Sequence, residues 1–418
     1  MKRRAMKLMK ITGITLAAFA GLTLLATSSC VVRQLGGAFT RLPGEAKQQL
    51  SVGARKLVLE SLEGLDTSKV RDFHVHMLAL GSEVEGAYIN EAMTSWGSPV
   101  RYFKYLIYRS AAGIQDVESA DAQFRERLVD LGKHLPMSMK LHILAFDEHY
   151  NADGTVNAEK TEFHTPNAYV FAMAKQHPGL FEPVMSVHPY RKDALEALDR
   201  WAKEGGHYVK WLPNAMGMDP GDERLDPYYE KMREHGLVLI THAGEEQAVE
   251  SEEDQALGNP LRLRRALDHG VKVIVSHCAS LGTDVDLDDP EGKRVPSFEL
   301  FLRLMDDPRY EGLVFGDISA LTQFNRLGGP LDTILKRQDL HPRLVYGTDY
   351  PLPAINALVR TEDLVAGGYI TKKERRWLNE IYEFNPILFD FVTKRRLKHP
   401  ETGERFADGI FEAPAALP

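Results

Sequence analysis

Five side chains able to bind a metal ion or move a proton stand at the ends of short apolar runs. They are His74 and His76 in Asp72-Phe73-His74-Val75-His76, His242 in Ile240-Thr241-His242-Ala243, His277 in Val275-Ser276-His277-Cys278, and Asp349 in Gly347-Thr348-Asp349-Tyr350. Imidazole nitrogens and a carboxylate oxygen suit zinc or a related divalent ion. A single histidine at such a position is more often a hydrogen-bonded core residue, and one HxH pair among 15 histidines is weak evidence. Ligand types at the ends of four separate runs, taken jointly, point to a metal. Lys210, in Tyr208-Val209-Lys210-Trp211, stands at a fifth run. An ammonium has three donors and no acceptor, so it cannot ligate. As a carbamate Lys210 bridges two ions; as a free cation it pairs with a neighbouring carboxylate or holds an anionic substrate.

Such residues need a scaffold that gathers them. Apolar, β-branched runs at 70–76, 141–147, 183–188, 208–212, 237–244, 271–278, 313–320 and 344–350 alternate with stretches of helical period. Eight βα units predict an α/β fold, a (β/α)8 TIM barrel over 69–395, with all strand C-termini on one rim. Strand eight closes against strand one, so Asp349 joins His74 and His76 in one metal site. Strands five and six are neighbours, so His242 and His277 form a second, with Lys210 beside them. Side-chain alternation puts His74 and His76 on one face of their strand and Phe73 and Val75 on the other. Among weaker candidates, Arg191 is expected to clamp a substrate carboxylate and Glu245 to contact substrate; Asp147, Glu246 and Asp317 also fall near the rim. The long insertion after strand one carries Tyr88, Trp96, Tyr102, Phe103, Tyr105 and Tyr108, and reads as a lid or as a helix packed over the barrel mouth.

Composition agrees with an enzyme. The chain has 418 residues, 44% hydrophobic and 26% charged, with a net charge of −8 that argues against nucleic acid as partner. Two cysteines exclude a disulfide scaffold or a cysteine-built zinc ribbon. At the front, Lys2, Arg3, Arg4, Lys7 and Lys10 precede an apolar run over 11–26, too short for a spanning helix and suited to a signal peptide over 1–29. The stretch Leu25-Ala26-Thr27-Ser28-Ser29-Cys30 resembles a bacterial lipoprotein signal, with Cys30 the lipidated residue. Ordinary cleavage near 26–28, giving a soluble periplasmic or secreted product, and an uncleaved anchor are the alternatives. Residues 30–68 read as a tether with a helix, and 396–418 as a C-terminal tail.

His74-Val75-His76, Lys210, His242, His277 and Asp349, with the strand order and Asn385-Pro386 near the last helix, together resemble the amidohydrolase superfamily over about residues 69–390. The segments 186–191 and 210–213 look like its amidohydrolase-related branch, which implies a hydrolase or, on the same scaffold, a non-oxidative decarboxylase or hydratase. The flanking β-sandwich of many amidohydrolases has no room here, which fits that branch. The expected reaction is hydrolysis of a C–N, C–O or lactone bond of a small molecule by metal-activated water. Asp349 then takes and returns the proton, and His277 holds a second ion or stabilises the oxyanion. A full ligand set argues against a barrel kept only for binding. A monomer and a homo-oligomer both stay open, and the only membrane contact expected is the lipid anchor.

The export reading has a direct test. Mass spectrometry of the mature protein is expected to find Cys30 at the N-terminus bearing several acyl chains, enough for stable anchoring. An unmodified terminus beyond Cys30 would defeat it.

Overall fold

Short runs rich in Val, Ile, Leu and Phe bury both faces only if helices cover them, and the chain builds that arrangement. The structure, a computed structural model, describes residues 29–37 and 41–418; the expected signal peptide lies, but for Ser29, outside them. Eight parallel strands follow in chain order: β1 (Arg71–His76), β2 (Lys140–Leu144), β3 (Phe181–Met185), β4 (Tyr208–Trp211), β5 (Val238–Thr241), β6 (Lys272–Val275), β7 (Val314–Asp317) and β8 (Leu344–Val345). The circle closes where Phe73 N–H donates to Tyr346 C=O (2.9 Å), His76 N–H to Tyr350 C=O (2.9 Å) and Asp349 N–H to His74 C=O (2.8 Å). This is a (β/α)8 barrel. Beside it the described residues hold only two two-stranded ribbons, and no β-sandwich.

Two apolar layers hold the barrel. Phe73, Leu144, Val184, Tyr208, Ile240, Ile274, Phe315 and Val345 fill its interior, while Val75, Leu141, Val209, Leu239 and Val273 face the helices. Phe73 and Val75 therefore do not share a face, contrary to simple alternation. The pairing of β1 with β2 shifts register between Asp72 and Val75, and this bulge re-aims the strand just where His74 stands. Helix Pro386–Arg396 explains Asn385-Pro386: the Asn385 side chain accepts from the N–H groups of Ile387 and Leu388, and proline fits the first helical position.

The segments outside the barrel are packed onto it. Most of the described residues in 30–68 are helical. Helix Val52–Glu60 buries Ala54, Leu57 and Val58 in the helix layer, and Val32 of helix Ser29–Gly36 packs on Met93, Tyr105 and Leu106 of the insertion. The 396–418 tail runs under the barrel. Phe411 C=O accepts from Arg71 N–H (3.1 Å), Ile410 C=O from Tyr346 N–H (2.8 Å), and Leu417 plugs the interior layer. Tyr208 Oη donates to the Pro418 carbonyl (2.9 Å).

Leu417 thus serves as the floor of the core. Leu417→Ala is expected to cost about 2 kcal/mol, the low end for a buried leucine, read as a lower urea midpoint at unchanged m-value. An unchanged midpoint would mean that the tail only rests on the barrel.

Candidate metal centre

The residues expected at the rim converge on one cavity of about 360 Å³, whose lining includes His74, His76, Lys210, His242, His277 and Asp349. His76 Nε2 lies 3.1 Å and His74 Nε2 3.5 Å from Asp349 Oδ1, while Asp349 Oδ2 faces His277 Nε2 at 3.9 Å. His74, His76 and Asp349 hold one potential ligand atom each within 4.8 Å of one another, as do His74, His277 and Asp317. The His277 ring stacks on that of His74 (centroids 5.0 Å apart) and meets that of His242 edge-on (5.5 Å).

Local backbone turns aim these side chains. β6 stops at Val275, short of the expected 278, because His277, Cys278 and Ala279 adopt left-handed φ values of 56°, 51° and 47°. Non-glycine residues resist that conformation. It is held here by Asp317 Oδ1, which accepts the His277 N–H at 2.9 Å. Asp349 is also left-handed (φ 62°), its N–H tied to His74 C=O. Asp72 pins β1 to the end of β8: its Oδ1 accepts from the N–H groups of His74 (3.0 Å) and Thr348 (2.9 Å), and its Oδ2 from Thr348 Oγ1 (2.7 Å). Gly347 permits that approach, since a Cβ there would meet His74 Cβ at 2.8 Å.

Asp317 sets the state of two rings. Its Oδ2 accepts from His74 Nδ1 (2.9 Å), leaving Nε2 as the lone-pair nitrogen toward the cavity. Its Oδ1 also takes the Ser319 hydroxyl proton, so Ser319 Oγ accepts from His277 Nδ1 (2.7 Å), and His277 Nε2 is left as an acceptor. Such outer partners raise ligand basicity and fix orientation. His242 Nε2 is buried with no partner, as a nitrogen reserved for a ligand would be. Burial drives the His74 and His277 rings well below the usual histidine pKa and His242 down to about 4, so all three rings are neutral, the form a metal ion would need. Burial raises the Asp349 carboxyl, and it lowers Lys210 to about 8 against the pull of Asp317, Asp349 and Glu246. The Lys210 amine donates to Ser276 Oγ (3.1 Å) and lies 3.3 Å from His74 Nε2.

Two of the expected residues lie elsewhere. Arg191 is held by Asp147 (3.1 Å) and Asp193 (2.9 Å) and does not line the cavity. Asp147 has its own structural duty, accepting the His188 N–H at 2.7 Å. Glu245 accepts from Gln247 Nε2 (2.8 Å) outside the lining, while its neighbour Glu246 faces in, 3.5 Å from His242 Nδ1. Arg326, on the loop after β7, lines the cavity with no strand register or motif to announce it. The insertion roofs the site: helix Pro99–Ala111 contributes Lys104, Tyr105 and Tyr108, and Tyr108 Oη donates to Ala248 C=O at 2.8 Å.

Asp317→Asn removes the charge and replaces one of the two acceptor oxygens with a donor, so one side chain can no longer orient both rings. Metal affinity, read by chelator competition, is expected to fall about 10- to 100-fold. Unchanged affinity would show that the two histidines do not depend on it.

The chain matches the family model for amidohydrolases over residues 72–386. No curated protein matches it. Similar solved structures include an uncharacterized TIM-barrel protein from Bordetella bronchiseptica (18% identity, 71% of this chain and 98% of that one, TM-score 0.41). Others are a putative 2-pyrone-4,6-dicarboxylic acid hydrolase from Pseudomonas putida (15%, 75% and 90%, 0.39) and a 5-carboxyvanillate decarboxylase from Sphingomonas paucimobilis (10%, 78% and 97%, 0.40). With its family model spanning β1 to the last helix and the donor set gathered at the barrel rim, the chain belongs to the amidohydrolase family of enzymes.

Proposed function

We propose that this enzyme is a metal-dependent hydrolase acting on a C–N, C–O or lactone bond of a small molecule, with zinc held by His74, His76 and Asp349. A bound ion supplies Lewis acidity and lowers the pKa of water from about 15.7 towards 7. Asp349 carries the reading: one carboxylate oxygen meets His76 Nε2 at 3.1 Å, while the other stands free of it, toward His277. That second oxygen takes the proton of the attacking water and returns it to the leaving group; its burial brings the carboxyl toward the range where such transfer works. His277 Nε2, an acceptor, orients the water or binds a second ion with His242. Lys210 Nζ donates to the developing oxyanion, or as a carbamate would help hold the metal. We further propose that the barrel is exported and anchored through lipid on Cys30. No described helix is long and apolar enough to cross a membrane.

The His74→Ala/His76→Ala double variant is expected to lose bound metal; full occupancy would refute the ligand assignment. Against a panel of aryl esters, lactones and N-acyl amides, Asp349→Asn is expected to lower kcat at least about a hundredfold, and solvent oxygen-18 is expected in the product acid. Release of carbon dioxide with no solvent oxygen in the organic product would make the enzyme a decarboxylase instead.

A further inference from the structure

Arg326 is a buried cation with carboxylates in its surroundings but none within ion-pair distance among the described residues. Its side chain lines the cavity, yet the residue is only 7% exposed. Nη1 donates to Ser280 Oγ (2.9 Å), Nε is buried without a partner, and the guanidinium makes no ion pair among the described residues. A charge in this position is costly unless something compensates it. The nearby carboxylates are engaged elsewhere. Glu246 Oε1 accepts the N–H groups of Ala248 and Val249, and its Oε2 faces His242; Asp317 is bonded to His74, His277 and Ser319; Asp349 faces His76.

The rest of the lining favours the same kind of ligand. Lys104, Arg109, Lys210 and Arg326 face the cavity against only Glu246 and Asp349, in a chain whose net charge is −8. Around these charges the wall is apolar, with Tyr105, Phe146, Phe163, Leu212, Leu281 and Ile355. A fixed guanidinium fork matches a carboxylate through two parallel hydrogen bonds. Apolar walls with a few placed polar groups orient a small ligand.

We infer that Arg326 is a specificity residue that binds the carboxylate of a small substrate whose remaining body is apolar, alkyl or aryl, and packs against the wall. The carboxylate sits on the loop after β7 and the scissile bond points to Asp349. The position of that bond rests on the hydrolase reading; the carboxylate subsite does not.

The test uses zinc-loaded protein and two probes of nearly equal shape, 4-phenylbutyrate and 4-phenylbutanamide, with Kd read by titration calorimetry. Wild type is expected to bind the carboxylate at least about tenfold more tightly than the amide. Arg326→Met is expected to abolish that preference with amide binding and zinc content unchanged, and Arg326→Lys to keep part of it. Equal affinity of the two probes for wild type would overturn the inference. So would a preference that survives in Arg326→Met, since the carboxylate would then sit on the ion or on Lys210. If Arg326→Met does not fold, the wild-type pair and Arg326→Lys decide between the two outcomes: a preference reduced in Arg326→Lys supports the subsite, and one left unchanged overturns it. Should wild type take up no zinc, the hydrolase reading fails, and the same comparison on metal-free protein still decides the role of Arg326.

Discussion

The Asp317 carboxylate holds the centre together. It is fully buried, at the end of β7, and its two oxygens serve His74 Nδ1, the His277 and Ser319 N–H groups and the Ser319 hydroxyl. Burying a carboxylate is tolerated only when such donors replace water. Each donor it satisfies fixes something the chemistry needs. The bond to His74 presents Nε2 to the cavity, the relay through Ser319 does the same for His277, and the backbone bond holds His277 in a conformation that strand geometry alone would not allow. One side chain therefore sets the orientation of two rings on two different strands.

Closure of the barrel is coupled to the same centre. Asp72 joins β1 to the end of β8 through the His74 and Thr348 N–H groups, and burial raises its carboxyl to about 7. Gly347 lets the two strands approach so closely that a methyl group there would strike His74. Asp349 is thereby carried to His76 by the bonds that close the sheet. Stability and site geometry are shared at this seam, whereas at the opposite end of the barrel the C-terminal tail and Leu417 contribute packing and hydrogen bonds away from the site.

The roof and the charge balance shape what can enter. Helix Pro99–Ala111 is tied to the loop after β5 through Lys104, which donates to Gln247 C=O at 2.8 Å, and through Tyr108. The insertion is thus both a packed helix and a cavity wall. Its apolar residues, the loop after β7 and the segment after Asp349 enclose a space whose cations sit among apolar walls in an otherwise acidic protein.

The fold and the inner residues are legible in the chain because both follow from period and position. Eight alternating runs imply eight βα units, and polar residues at their ends must meet on one rim, so His74, His76, Lys210, His242, His277 and Asp349 group together from strand order alone. Strand ends are less legible: the left-handed turn at 277–279 depends on an acceptor forty residues away, and the bulge in β1 depends on how β2 pairs with it. Loop residues are the least legible. Arg191 and Glu245 stand near the rim in sequence, but Asp147 and Gln247 hold them outside the cavity, and Arg326 reaches it from a loop with no period at all. Sequence alone therefore determined the barrel and the set of side chains gathered at its rim, since strand order and alternation follow from period and position. Tertiary structure decided which charges face the cavity, because a loop side chain points toward whichever partner packing brings to it.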